Sequence, residues 1–194
     1  MGLSVADTYY LKAKGALNGP YGEDWEQAVE ALNYALSYDS DHVASLCFLG
    51  DIYASYFQNF EKAFSCFDRV IGINSQHLEV YPMYIKYATW ADQTDRALKL
   101  LAFAKDLKGA NRSELFWLKA TILESQRKYN KALKTLEKAR YETCSDSFFY
   151  FLEDETKRIK KKQRLKEGKQ EVVKKDKEKE STEKPKEEVS STSK

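Results

Sequence analysis

Residues 46–75 read LCFLGDIYASYFQNFEKAFSCFDRVIGINS, and this stretch decides how the rest of the chain is read. Leu46, Leu49 and Tyr53 recur at helical spacing, and so do Phe60, Phe67, Val70 and Ile71 after the turn-forming residues between them. Each half therefore predicts an amphipathic helix with one apolar face. Gly50 and Ala63 are small where the two faces meet, which lets antiparallel helices approach closely. One such hairpin cannot bury its apolar side alone, so neighbours of the same kind are required.

The chain supplies them. Aligning on the small residue of each second helix gives Ala28, Ala63, Ala97 and Ala132, which lie 35, 34 and 35 residues apart. Four residues beyond each comes Leu32, Phe67, Leu101 or Leu136, and three further on Ala35, Val70, Ala104 or Ala139. In the first helices, Leu46, Leu49, Gly50 and Tyr53 correspond to Tyr81, Tyr84, Ile85 and Ala88 in copy three, and to Phe116, Lys119, Ala120 and Leu123 in copy four. Lys119, like Lys14 in copy one, stands at an expected apolar place and can lay its stem along an apolar surface. Gly15 and Ala28, like Gly50 and Ala63, are 13 residues apart, against 12 for the matching residues of copies three and four, so copies one and two are each expected to carry a one-residue insertion between their helices. Asp24 with Gln27, and Ser113, are the expected N-caps of second and seventh helices, and Gly109 the expected end of the sixth.

Leu49-Gly50, Tyr53, Ala63, Phe67 and Ser75 resemble the tetratricopeptide pattern W-x2-L-G-x2-Y, A-x3-F, P. That resemblance implies an all-α fold: four helix-turn-helix repeats in a right-handed superhelix, a C-terminal capping helix and a disordered charged tail. The expected boundaries are 1–145 for the array (about 9–40, 43–75, 78–109 and 113–144), 146–166 for a capping helix with a basic end, and 167–194 for the tail. Phe148, Phe151, Leu152 and Ile159 give the capping helix its apolar face, which an open-ended array needs.

Charge is unevenly spread. Residues 1–156 carry 17 Lys and Arg against 22 Asp and Glu, whereas residues 157–194 carry 15 against 8. Aromatic residues make up 13% of the chain and all precede residue 152, so the body is expected to fold and the Lys/Glu-rich tail to remain disordered. The N-terminal residues lack the pattern of an export signal, and no stretch has the roughly 18 apolar residues of a membrane span. A cytoplasmic location is the expectation, with Cys47, Cys66 and Cys144 as buried thiols in a reducing compartment. His42 and His77 are 35 residues apart, read as repeated turn residues; no metal site and no cofactor is expected. With no nucleophile set, phosphate loop or paired catalytic carboxylates, the chain is not expected to be an enzyme.

The resemblance further implies that first helices line a concave groove for a partner protein or peptide. Carried over by position, its lining includes Tyr9 and Lys12, then Cys47 and Asp51, then Glu79, Lys86, Thr89 and Trp90, then Trp117, Thr121 and Glu124. Trp90 and Trp117 are either binding anchors or residues packed on the next copy; both readings stay open. Ala16 and Glu79 stand where chaperone-tail binders of the family need Asn and Lys, which disfavours that ligand. Lys157, Arg158, Lys160, Lys161, Lys162, Arg164 and Lys166 form a basic run without an acid. A nucleic acid or anionic membrane could be held there, but no aromatics are interleaved for base stacking, so nucleic acid is disfavoured and a solvated helix end preferred. The function expected is a scaffold or adaptor binding a partner segment; a small chaperone for a secreted or assembled client, or a basic-tail adaptor, are the alternatives. Self-association stays open.

Overall fold

The computed structural model describes residues 2–18 and 24–182. Among them every regular element is helical: α1 (Val5–Leu17), α2 (Trp25–Tyr38), α3 (Val43–Ser55), α4 (Phe60–Ile73), α5 (Val80–Trp90), α6 (Thr94–Ala104), α7 (Arg112–Ser125), α8 (Tyr129–Glu142) and α9 (Asp146–Thr182). Consecutive helices pack as hairpins, α1 with α2, α3 with α4, α5 with α6 and α7 with α8, and α9 lies on α8. Helix α5 also touches α3 on one side and α7 on the other, so these first helices of successive hairpins form a common layer.

The helix ends follow local chemistry. Ser4 and Asp7 form a reciprocal capping box at α1, each side chain accepting from the other's backbone N–H at 3.0 Å. Asp24 caps α2 by accepting from Gln27 N–H at 2.8 Å. At α7 the cap is Asn111, not Ser113: Asn111 Oδ1 accepts from Glu114 N–H. Ser113 is buried, and its hydroxyl donates to the Ala139 carbonyl at 2.7 Å, tying α7 to the end of α8. Helix α6 ends at Ala104, short of Gly109, which supplies a left-handed turn (φ 87°) in the following loop. Pro82 lies in the first turn of α5, where its missing N–H costs no helical bond.

The hairpin turns repeat as well. Gln58, Asp92 and Arg127 each precede the second helix with φ of 52°, 57° and 57°. Two residues of each turn close it: Gln93 N–H donates to Ala88 O and Lys128 N–H to Leu123 O, both spanning five residues, whereas Asn59 N–H donates to Tyr53 O, spanning six. The extra residue of copy two is thus absorbed in the turn, leaving both helices in register.

Three apolar clusters run along the described residues. Ala13, Ala28, Leu32, Leu49 and Ile52 fill the first, Phe64, Phe67, Tyr81, Tyr84, Ile85 and Leu118 the largest, and Ala132, Leu136, Leu152 and Ile159 the last. Phe67 lies against Gly50 so closely that a Cβ there would meet the ring at 2.6 Å. Gly50 therefore lets the Phe67 ring of α4 lie directly on the α3 backbone.

Two sequence expectations are corrected. Helix α9 continues to Thr182 and so covers residues 167–182, for which disorder was expected. Lys, Glu and Gln are good helix formers, and no proline occurs between Asp146 and Pro185, so a chain too polar to build a core can still prolong a helix anchored at its start. The remainder of the expected disordered segment, residues 183–194, lies outside the described residues. Cys144 is exposed, whereas Cys47 is buried and Cys66 half-buried. The break between α8 and α9 carries Cys144 off the packed faces.

Candidate functional site

The layer made by the first helices holds one pre-arranged cluster around the end of α5. Tyr87 is buried, and its hydroxyl donates to the Asp51 carboxylate of α3. Burial and that bond push the phenol well above its usual range, so it stays a neutral donor. Lys86 Nζ stands 4.3 Å from the Tyr87 ring centre and 5.1 Å from that of Trp90, a cation shared between two aromatic faces. Trp90 packs edge-on against Tyr87 at 5.3 Å yet keeps 61% of its surface exposed. A large aromatic held in place by a buried tyrosine and a lysine, and left open to solvent, is an unsatisfied apolar surface.

Trp117 is different. Phe148 and Phe151 of α9 pack edge-on against it, and its indole N–H reaches Glu155 at 3.4 Å. Glu124 accepts from Nη1 and Nη2 of Arg158 at 2.6 and 2.7 Å and from Lys162 Nζ at 2.7 Å. Burial raises the Glu124 carboxyl, but these bonds and charges hold it below its usual value overall. Helix α9 thus covers the part of α7 on which Trp117 and Glu124 were expected to face a partner.

The other expected groove residues divide similarly. Tyr9 stacks on Tyr34 and Tyr38 of α2, at 5.4 and 5.8 Å, and belongs to an aromatic ladder on the first hairpin. Lys12 and Glu79 are exposed, while Thr89 and Thr121 return their hydroxyls to Ile85 O and Leu118 O. Cys47 is part of the core, a correction to its expected place on the groove; burial pushes its thiol up to about 12. The structure therefore brings Asp51, Lys86 and Trp90 together through Tyr87, which sequence position alone did not single out. A tyrosine three residues before the tryptophan that ends α5 was the available signal.

Of the basic run, Arg158 and Lys162 are held by Glu124, Lys157 pairs with Asp154, and Lys166 reaches the Arg127 carbonyl at 3.4 Å. Lys160, Lys161 and Arg164 are exposed. Among the described residues no three His, Cys, Asp or Glu side chains converge as metal ligands would, and no helix is long and apolar enough to cross a membrane. His42, at the start of α3, bonds Ser45 Oγ at 2.7 Å and Asp7 at 3.2 Å, joining the first two hairpins.

A family model described as tetratricopeptide repeat matches residues 43–77, the α3–α4 hairpin. Residues 43–77 form a tetratricopeptide repeat. The flanking hairpins continue its 34–35-residue register, and α5–α6 and α7–α8 also its turn geometry. Solved structures share the helical fold over most of this chain: Pseudomonas aeruginosa PilF at 18% identity, over 82% of this chain and 69% of that one (TM-score 0.64), and MamA at 19% identity, over 89% and 99% (TM-score 0.58). A MamA RS-1 double mutant is similar at 16% identity, over 80% and 89% (TM-score 0.59). At these identities the likeness is one of fold. No curated protein matches the sequence.

Proposed function

We propose that this chain is a non-catalytic interaction scaffold whose first-helix layer binds a segment of a partner protein, with Trp90 as the anchor. The observation that carries this reading is the exposure of Trp90 beside Lys86 and the buried Tyr87–Asp51 pair. Tryptophan on a rigid support offers a large contact area with little ordering cost, which is the usual make-up of a binding hot spot. A repeat array presents such a residue without a catalytic constellation. The ion pairs that occupy Arg158 and Lys162 favour a structural part for the start of the basic run.

Affinity capture from source-cell lysate with the intact chain and with Trp90→Ala tests the proposal. Because Trp90 is exposed, the variant keeps its fold, and loss of a hot spot costs about 2 kcal/mol or more, roughly thirtyfold in affinity. A specific protein retained by the intact chain and lost by the variant is expected. Equal retention by both overturns the reading. A truncation used alongside must end after Glu167, since ending at Thr156 would remove the buried Ile159.

A further inference from the structure

The junction between α6 and α7 lacks the filling found at the junction before it. There, between α4 and α5, Tyr84 is buried, stacks on Phe64 at 5.1 Å, and donates its hydroxyl to Asp68 at 2.7 Å while Arg96 donates to it. In the repeat register Lys119 takes the place of Tyr84, Leu98 that of Phe64 and Ala102 that of Asp68. The aromatic pair and its carboxylate are all gone. A cavity of about 570 Å³ opens at this place, floored by Leu98, Leu101, Leu115 and Phe116. Leu98 is 40% exposed where Phe64 is 4% exposed, so the apolar floor is open to solvent.

The rim is cationic. Lys105, Arg112 and Lys119 surround the cavity, with Asp106 as the one acid among the described residues that line it. Lys105 and Asp106 are 3.9 Å apart and Arg112 and Glu142 3.8 Å, at the limit of ion pairing and exposed. The excess of positive charge sits in a body, residues 1–156, that carries more acids than bases overall. None of the lining residues belongs to the Trp90 cluster, so this is a second surface.

We propose that the α6–α7 cavity docks an acidic peptide segment bearing one aromatic side chain: the ring enters the space that Tyr84 fills at the preceding junction, and flanking carboxylates meet Lys105, Arg112 and Lys119. The volume is that of a pocket able to take a large side chain, and the ring's burial against leucines supplies the attraction. Charge on the rim selects acidic over basic segments.

The test is fluorescence polarisation of the full chain with a labelled eight-residue peptide, one central phenylalanine flanked by aspartate and glutamate. A second peptide carries alanine for phenylalanine. Binding of the first, lost with the alanine peptide and weakened several-fold by the exposed Lys119→Glu change, is expected. The double change Leu98→Phe/Lys119→Tyr restores the preceding junction's pair; it should abolish binding and raise the melting temperature. Trp90→Ala should bind the peptide unchanged, which separates this surface from the proposed partner groove. No binding by the unaltered chain overturns the inference, as does equal binding of both peptides or binding indifferent to Lys119→Glu. Light-scattering evidence that the cavity is covered by a second copy, lost in the double variant, would likewise overturn it.

Discussion

Gly50 and Gly15 show how one residue type can be interchangeable at one place in an array and not at another. A Cβ at Gly15 would meet nothing within 4 Å, so Gly15→Ala should raise stability by about 1 kcal/mol through helix propensity. At Gly50 the added methyl would press on the Phe67 ring, which is fully buried and has nowhere to retreat. Gly50→Ala should lower stability by about 1 kcal/mol or more despite the same gain in propensity. Denaturant titration of the two variants gives the comparison; a rise in both midpoints would contradict the close packing of α3 on α4. The small residue at position 50 was legible from its place in the hairpin pattern. Which aromatic lay on it was not, because Phe60, Phe64 and Phe67 all lie on α4 and only the packing chooses among them.

At the scale of elements, the second helices were legible because small and large residues alternate at a constant interval, and the copy-two insertion because it lengthens one turn. Helix α9 was legible in its apolar spacing, for Leu152 and Ile159 are both buried. Its effect on the groove was not: nothing in the spacing of Trp117 and Glu124 says that Phe151 and Arg158 will come back to cover them. The Glu124–Arg158–Lys162 cluster should make that docking pH-dependent. Glu124 has a carboxyl pKa lowered from 4.5 in the folded chain, so its contribution is present above about pH 4.5 and is lost as pH falls through the folded value. Glu124→Gln should lower stability by about 1–3 kcal/mol near neutrality, the worth of hydrogen bonds to a charged group, and the difference from the unaltered chain should shrink in acid. Thermal melts at pH 7 and pH 3.5 check this. A constant difference across that range would mean that the carboxylate's charge does not hold α9.

The whole molecule is a row of hairpins in which each first helix seals against the second helix before it. Two features depart from that pattern by leaving apolar surface open to solvent. Trp90 stays exposed in the layer formed by α3, α5 and α7, and the α6–α7 junction lacks the ring that fills its predecessor. Both positions stand in the sequence as deviations from a repeat, Trp90 by its type and Lys119 by its charge at an apolar place. Their exposure and the cavity beside one of them depend on neighbours that spacing does not specify.

The most direct measurement of the proposed partner surface is site-specific photo-crosslinking in source-cell lysate, with benzoylphenylalanine placed at position 90 or at position 141. Tyr141 is 84% exposed on α8, away from the first-helix layer, and serves as the comparison. A discrete adduct from position 90 and none from position 141 is the result this arrangement predicts. Adducts from position 141 alone, or the same adducts from both, would contradict a partner surface centred on Trp90.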